Sequence, residues 1–367
     1  MRVLYFTRDY TPHDHRFLTA LAESPHQVYS LRLERRGMQR EDRSIPSGIE
    51  QIQWKGGKKP WSLSQTPALL ADLDRIIATV KPDLIHAGTI QTAAFLTAIV
   101  GFRPLVSMSW GSDLLKDADR NAFWTWATQF TLKRTAVLVG DCQAVADKAV
   151  SFGFPADRIV TFPWGVDLSR FLPPEQREPV LRSDFRLLSV RSWEPIYGVD
   201  VLANAFVRAA HQIPDLTMLL AGGGSQAALI RQILADGRVL DRVTFVGHRC
   251  NNELVELYRS ADLYLSASYS DGSSVSLMEA LACGLPALIS DIPGNQEWIT
   301  PGEQGWLFRT GDVDDLTNRI VYAAEHRAET ALMRQPARAL AERRADWQKN
   351  FCELLRAYEM AVQFNSK

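Results

Sequence analysis

The chain has few of the residues that hold metals or cross-links. Four cysteines in 367 residues, Cys142, Cys250, Cys283 and Cys352, include no Cys-x-x-Cys pair, which argues against a zinc site and for reduced thiols in a cytosolic protein. His13 and His15 are two apart and so do not share a helix face, and no zincin pair is present. Net charge is almost missing too. Lys and Arg number 41 against 42 Asp and Glu, a balance of −1 that removes the usual case for a nucleic-acid partner. No apolar run reaches the roughly 18 residues of a membrane span. The best candidate, Thr92 to Phe102, is cut off by Arg103 and Pro104. Met1-Arg2-Val3-Leu4-Tyr5-Phe6 runs into charge at Arg8 and Asp9 without a small-residue cleavage site, so no secretory leader is expected. No repeat with a period of about 20–50 residues is visible, which excludes a solenoid.

What is present is the composition of a folded protein, 46% hydrophobic and 23% charged, at a length of about two ordinary domains. Short apolar runs alternate with amphipathic stretches. Val3–Phe6, Val28–Leu31, Leu84–His86, Leu105–Met108 and Ala136–Val139 read as buried strands. Leu69, Leu70, Leu73, Ile76, Ile77 and Val80 recur at helical spacing, predicting a helix from Pro67 to Val80 that Pro82 ends. The pattern restarts with strands at Leu187–Val190, Met218–Ala221, Val243–Val246, Leu263–Ala267 and Ala287–Ser290. Helices are expected over Val199–Ala210, Ala227–Leu234, Asn252–Arg259 and Val275–Cys283. Such alternation predicts α/β architecture, with parallel sheets covered on both faces. The polar, proline-rich stretch Leu172-Pro173-Pro174-Glu175-Gln176-Arg177-Glu178-Pro179 is the most linker-like segment. It divides the chain into a first domain, 1–170, a linker, 171–182, a second domain, 183–345, and a terminal helix within 346–367.

Charge separates the halves. Residues 1–170 carry 21 Lys and Arg against 17 Asp and Glu, and the remainder is acidic. Arg32, Arg35, Arg36, Arg40, Arg43, Lys55, Lys58 and Lys59 supply much of the basic excess, with Trp54 and Trp61 flanking the lysines. This segment is either a solvated loop or a surface for an anionic acceptor or a membrane face.

The most informative stretch is Leu263-Tyr264-Leu265-Ser266-Ala267-Ser268-Tyr269-Ser270-Asp271-Gly272-Ser273-Ser274-Val275-Ser276-Leu277-Met278-Glu279-Ala280-Leu281-Ala282-Cys283-Gly284-Leu285-Pro286. A buried strand ends in small polar residues, passes an acid and a glycine, and opens a helix. Ligands bind at such strand ends in doubly wound sheets. The N–H groups of Ser273, Ser274, Val275 and Ser276, with the positive end of the helix dipole, suit a phosphate, and Gly272 allows the tight turn. Glu279, about one turn in, is placed to grip the hydroxyl pair of a ribose.

These residues resemble the retaining glycosyltransferases of the GT-B fold, especially glycosyltransferase family four. That family has an acid, seven intervening residues, Glu, then Ala-hydrophobic-Ala-x-Gly-x-Pro; here Asp271 and Glu279 are followed by Ala280-Leu281-Ala282-Cys283-Gly284-Leu285-Pro286. Pro163-Trp164-Gly165-Val166-Asp167, Leu188-Ser189-Val190-Arg191 with Gly198-Val199-Asp200, and Val243-Thr244-Phe245-Val246-Gly247 keep the family's order. The resemblance implies two Rossmann-like domains facing a cleft, with the final helix crossing back to the first domain. It implies a metal-independent, cofactor-free enzyme that moves a sugar from a nucleotide diphosphate, UDP or GDP, to a glycan, lipid-linked or small-molecule acceptor. The cysteine usage fits a cytoplasmic location for such an enzyme, and the basic loops of the first domain are the candidate place for any peripheral membrane contact. Glu279 is then the ribose ligand, Asp271 orients the donor sugar, Arg191 neutralises the diphosphate, and Gly247, His248 and Arg249 meet the base.

Four departures from that pattern qualify the site. The first family Glu is Asp271; the Lys that partners the diphosphate Arg is absent, with Tyr197 near its place; the family's His is Trp110, in Trp110-Gly111-Ser112-Asp113; and the glycine-rich loop is Tyr10-Thr11-Pro12-His13-Asp14-His15. Trp110 is either a sugar-stacking ring or core. Asp113, taken as a catalytic candidate, is alternatively a helix cap. His13, Asp14 and His15 are candidates for contact with acceptor or donor sugar, and Asp14 is equally a cap. A nucleotide-sugar epimerase on the same fold and a non-catalytic nucleotide-sugar-binding module are the rival readings.

Overall fold

The alternation of apolar runs and amphipathic stretches builds two all-parallel sheets in the computed structural model, which describes residues 1–35, 41, 43–174, 183–249 and 252–365. Arg36, Arg40, Cys250 and residues 175–182 of the expected linker lie outside the described residues. The chain divides into two compact units, Met1–Phe162 with Phe351–Lys367, and Pro163–Asn350.

The first unit holds β1 (Arg2–Thr7), β2 (Gln27–Arg32), β3 (Ile49–Gln51), β4 (Leu84–Gly88), β5 (Leu105–Met108), β6 (Val137–Gly140) and β7 (Ile159–Thr161), in the order β3-β2-β1-β4-β5-β6-β7. The second holds β8 (Phe185–Ser189), β9 (Leu216–Ala221), β10 (Val243–Gly247), β11 (Leu263–Ser266), β12 (Ala287–Ser290) and β13 (Gly305–Phe308), in the order β10-β9-β8-β11-β12-β13. Val3, Leu4, Tyr5 and Phe6 are all buried, as are Leu263 to Ser266, because helices cover both faces of each sheet. The strand order reverses between β1 and β4, and again between β8 and β11. The carboxyl ends of those strand pairs are where an open sheet leaves a crevice.

Three strands go beyond the sequence reading. β3, β7 and β13 are short and lie at sheet edges, where little periodicity is needed to recruit them. The apolar run Thr92–Phe102 becomes the helix Ala93–Val100. No helix among the described residues is long and apolar enough to cross a membrane.

The junction falls earlier than the proline-rich stretch. Residues 163–170 belong to the second unit because Val166 bridges to Asp346: Val166 N donates to Ala345 O at 2.7 Å, and Trp347 N donates to Val166 O at 3.1 Å. The last helix, Trp347–Asn365, starts in the second unit, and from Phe351 onward its residues belong to the first. There Tyr358 is fully buried, its hydroxyl 2.7 Å from His86 Nδ1 on β4.

Candidate active site

In the second unit, the two strands at the reversal deliver the charged residues. Arg191 follows β8, and Asp271 lies in the loop after β11. Arg191 Nη2 donates to Asp271 Oδ2 at 2.7 Å, while Nη1 reaches Ser274 Oγ at 2.8 Å and Ser276 Oγ at 3.1 Å. The Tyr197 ring lies 4.2 Å from the guanidinium carbon, so the position expected for a second cation carries an aromatic face. Arg191 is only 10% exposed; its Nε is buried and has no hydrogen-bond partner among the described residues. Burial disfavours its charge, but the adjacent Asp271, with Tyr264 and Tyr197, outweighs this and drives the guanidinium pKa upward. The cation is permanent.

The helix Val275–Ala282 begins beside this pair. Ser274 is its N-cap residue, in extended conformation, yet its side chain caps nothing: the hydroxyl receives Arg191 instead. The loop is fixed from behind. Trp298 Nε1 donates to Ser273 Oγ at 3.2 Å, Gly272 N donates to Asp271 Oδ1 at 3.1 Å, and Ser290 Oγ holds Ser268 O at 2.6 Å. Gly294 packs so tightly beneath that a Cβ there would lie 2.6 Å from Gly272 O. The result is a helix N-terminus, not capped by its own N-cap side chain, next to a guanidinium, an arrangement suited to an anion. Val275 opens that helix as its first residue.

Glu279 sits one turn further along. Its Oε2 accepts the Tyr258 hydroxyl at 2.8 Å, and Tyr258 also reaches Ser276 O at 3.2 Å. The Tyr264 hydroxyl lies 2.7 Å from Ser276 Oγ. Burial, then the neighbouring Glu279, raises the Tyr258 pKa, keeping that hydroxyl a donor. Ser276 belongs to the helix start that the sequence marks as suited to an anion, whereas nothing in the sequence singles out Tyr258 or Tyr264 as site residues.

Gly247, His248 and Arg249 follow β10. Their loop runs beside Gly222 to Gly224, which in turn lies against the segment after β8: Gly222 N donates to Gly247 O at 2.8 Å, and Trp193 N donates to Gly223 O at 2.9 Å. His248 Nε2 lies 3.3 Å from where a Cβ on Gly223 would stand. Arg249 turns outward to Val246 O and to Glu253, 3.2 Å away. Gly222-Gly223-Gly224 is thus the middle strip of a continuous loop edge.

The first-unit candidates separate into two kinds. His13 and Trp110 come together, ring centroids 5.6 Å apart, with Phe17 edge-on to the same indole at 5.9 Å. Burial, then Arg16, lowers the His13 pKa to about 4, so the imidazole is neutral at pH 7. His15 turns away to the Tyr10 hydroxyl, 2.6 Å from its Nδ1. The two aspartates face inward. Asp14 forms a capping box with Thr11 and accepts Tyr5 Oη at 3.0 Å and Thr7 Oγ1 at 2.8 Å. Asp113 Oδ1 accepts Ser109 Oγ at 2.7 Å and Trp110 N at 2.9 Å, while its Oδ2 accepts Ile90 N at 3.0 Å. Both carboxylates are at most 3% exposed, and burial raises both pKa values against those hydrogen bonds. Asp113 thus clamps its loop and Asp14 caps its helix. Among the described residues no group of three His, Cys, Asp or Glu is arranged as metal ligands would be.

A family model described as Glycosyl transferases group 1 matches residues 174–359, and one described as Glycosyltransferase Family 4 matches residues 13–170. The chain is 33% identical over 171 residues to the GtfA subunit of the UDP-N-acetylglucosamine–peptide N-acetylglucosaminyltransferase of Streptococcus pneumoniae, covering 46% of this chain and 32% of that protein. It is 30% identical over 213 residues to the D-inositol 3-phosphate glycosyltransferase of Mycolicibacterium smegmatis, covering 54% and 46%. The matched part thus spans less than half the length of either relative. Among solved structures, sucrose-phosphate synthase from Thermosynechococcus elongatus superposes with a TM-score of 0.81 at 18% identity over 100% of both chains. HepE of Anabaena in complex with UDP superposes with a TM-score of 0.78 at 20% identity, over 98% of this chain and 100% of that one. These likenesses identify the fold as that of the GT-B glycosyltransferases.

Proposed function

The chain belongs to the glycosyl transferases group 1, and from that premise we propose that it moves a sugar from a nucleotide diphosphate sugar to an acceptor hydroxyl, retaining anomeric configuration and using no metal. The observation that carries the reading is the Arg191 guanidinium held at the N-terminus of the Val275–Ala282 helix, one turn before Glu279. UDP is favoured over GDP, because the HepE structures contain UDP and UDP-glucose and the GtfA relative is named for UDP-N-acetylglucosamine.

The difficult part of such a transfer is charge. As the glycosidic bond breaks, the diphosphate gains negative charge and the sugar becomes oxocarbenium-like. Arg191 and the first-turn N–H groups offer fixed positive charge to the departing diphosphate without reorganising. Asp271 occupies Nη2 of that guanidinium. An entering diphosphate competes for the same donor, and Arg191 Nε adds another. Asp271, released, becomes an acceptor for hydroxyls of the donor sugar. Glu279, oriented by Tyr258, takes the ribose hydroxyls. The segment Gly247-His248-Arg249 meets the base, largely through backbone. Trp110 and His13 form an aromatic surface for a sugar ring. A leaving phosphate oxygen accepts the proton of the incoming hydroxyl, so the reaction requires no dedicated base.

The test is transfer from a panel of UDP-, GDP-, ADP- and TDP-linked sugars, with Glu279→Gln and Arg191→Ala beside the parent. Each variant should lose about 10²–10³ in kcat/KM, the cost of removing one preorganised stabilising group. Full activity in both overturns the proposal. An epimer formed from donor alone identifies the epimerase instead, and nucleotide binding with no turnover identifies a binding module.

A further inference from the structure

The first unit carries an exposed aromatic face that the reaction leaves unused. On the helix Ala122–Leu132, Phe123, Trp126 and Phe130 recur at spacings of three and four and so share one face. Phe123 is 44% and Trp126 49% exposed, although apolar side chains this large are normally covered. They stand on Phe95, which is 4% exposed, with centroids 6.3 Å, 5.6 Å and 5.7 Å from Phe123, Trp126 and Phe130. Trp126 also touches Phe123 at 5.8 Å and Phe130 at 5.4 Å. The rings form one raft on a buried anchor. Ile99, 37% exposed, lies on the neighbouring helix Ala93–Val100.

Charge around the raft has one dominant sign. Neither 92–102 nor 121–132 contains a charged residue. Both runs end in cations: Arg103 after the first, Lys133 and Arg134 after the second, with Arg120 before it. Arg134 lies over the Phe130 ring, 3.6 Å from its centroid, and Arg120 over Trp124 at 5.5 Å. The nearest acids in sequence, Asp117 and Asp119, precede the helix, and Asp119 pairs with Lys148.

We propose that the face of Phe123, Trp126, Phe130 and Ile99, rimmed by Arg103, Lys133 and Arg134, docks on an anionic lipid bilayer. Aromatic rings suit the boundary between headgroups and acyl chains, and adjacent cations are attracted to anionic headgroups. A second copy of the chain is a poorer occupant, since a two-fold contact through the raft would bring its cationic rims together. In the basic segment between Arg32 and Lys59, several of the described residues are held by the protein itself. Trp54 is buried with Nε1 donating to Arg32 O, Arg32 reaches Gly57 O, and Arg43 pairs with Glu41 at 2.7 Å. The proposal does not depend on the transferase reading.

Co-sedimentation with phosphatidylcholine vesicles, with and without phosphatidylglycerol, tests it. The parent should bind the anionic vesicles, and bind them less as salt rises. Phe123→Ser with Trp126→Ser should weaken that binding by at least about tenfold, and Lys133→Glu by several-fold. The double variant must keep the parent's circular dichroism spectrum and urea midpoint. Equal binding by parent and double variant overturns the proposal, as does failure of the parent to bind anionic vesicles. A parent dimer in light scattering that the double variant abolishes also overturns it, assigning the face to self-association.

Discussion

Arg191 and Asp271 form an ion pair, so each is a competitor for the other's ligand. Removing the acid should therefore tighten nucleotide diphosphate binding while damaging sugar transfer. For Asp271→Asn, calorimetry should find UDP bound a few-fold more tightly, and kinetics should find kcat reduced at least about tenfold with the UDP-sugar. Weaker UDP binding in that variant would show that the pair supports the site instead of competing for it. Tyr258 acts one step further out. Tyr258→Phe leaves Glu279 without that donor and should raise the donor KM about 3–10-fold, near the worth of one hydrogen bond, with kcat nearly unchanged. The residue pattern alone marks Asp271, an acid beside a glycine where a strand gives way to a helix, and Glu279, an acid one turn into an apolar helix, whereas only the family resemblance points to Arg191. The sequence left Tyr258 and Tyr264 illegible. Both sit among apolar neighbours at positions any core aromatic can fill, and only the fold brings Tyr258 to Glu279, 21 positions away. Asp14 and Asp113 show the converse: an acid near a helix start looks the same whether it faces a ligand or caps the turn.

At the scale of elements, the site depends on how closely the loop after β8 approaches the end of β11. Gly198 is the residue that permits it. Its φ is +58°, and a Cβ there would fall 2.2 Å from Ala267 O. Gly198→Ala combines left-handed strain with a backbone collision and should cost about 2–4 kcal/mol of stability in urea denaturation. Because Tyr197 and Arg191 hang on that loop, donor KM should rise as well. A stable variant with parental KM would mean that the two loops adjust independently. Helices and central strands were legible because burial on one or two faces imposes a period of 3.6 residues or a continuous apolar run. β8 to β12 and the helix Val275–Ala282 fall within a few residues of expectation. β3, Ile49–Gln51, was not legible: its three residues are largely exposed, and pairing with β2 alone makes it a strand.

At the scale of the molecule, the last helix joins the first unit through a polar contact inside its core, and this gives stability a pH dependence. His86 is 2% exposed, with Nδ1 at the Tyr358 hydroxyl and Nε2 3.0 Å from Met108 Sδ. Burial alone lowers its pKa to about 3. In the unfolded chain an ordinary histidine titrates near 6.5. Between those values the unfolded state binds the extra proton and the folded state does not, so stability rises with pH. The contribution is complete above about pH 6.5 and is lost as pH falls toward about 3. Between pH 7 and pH 5 the loss amounts to about 2 kcal/mol, since both values lie well above the folded titration. His86→Leu should be less stable than the parent at pH 7, because the Tyr358 hydroxyl loses its partner, by about 1–3 kcal/mol. That deficit should shrink as pH falls to 5. Asp14 and Asp113, whose raised values tilt stability the other way in the acid range, are common to both proteins, as is His13, so they cancel in the difference. Paired urea melts at pH 7 and pH 5 measure it. A deficit that stays constant would mean that His86 gains its proton over the same pH range in the folded and unfolded chain, and a deficit that grows would mean that a charged contact holds the final helix to β4.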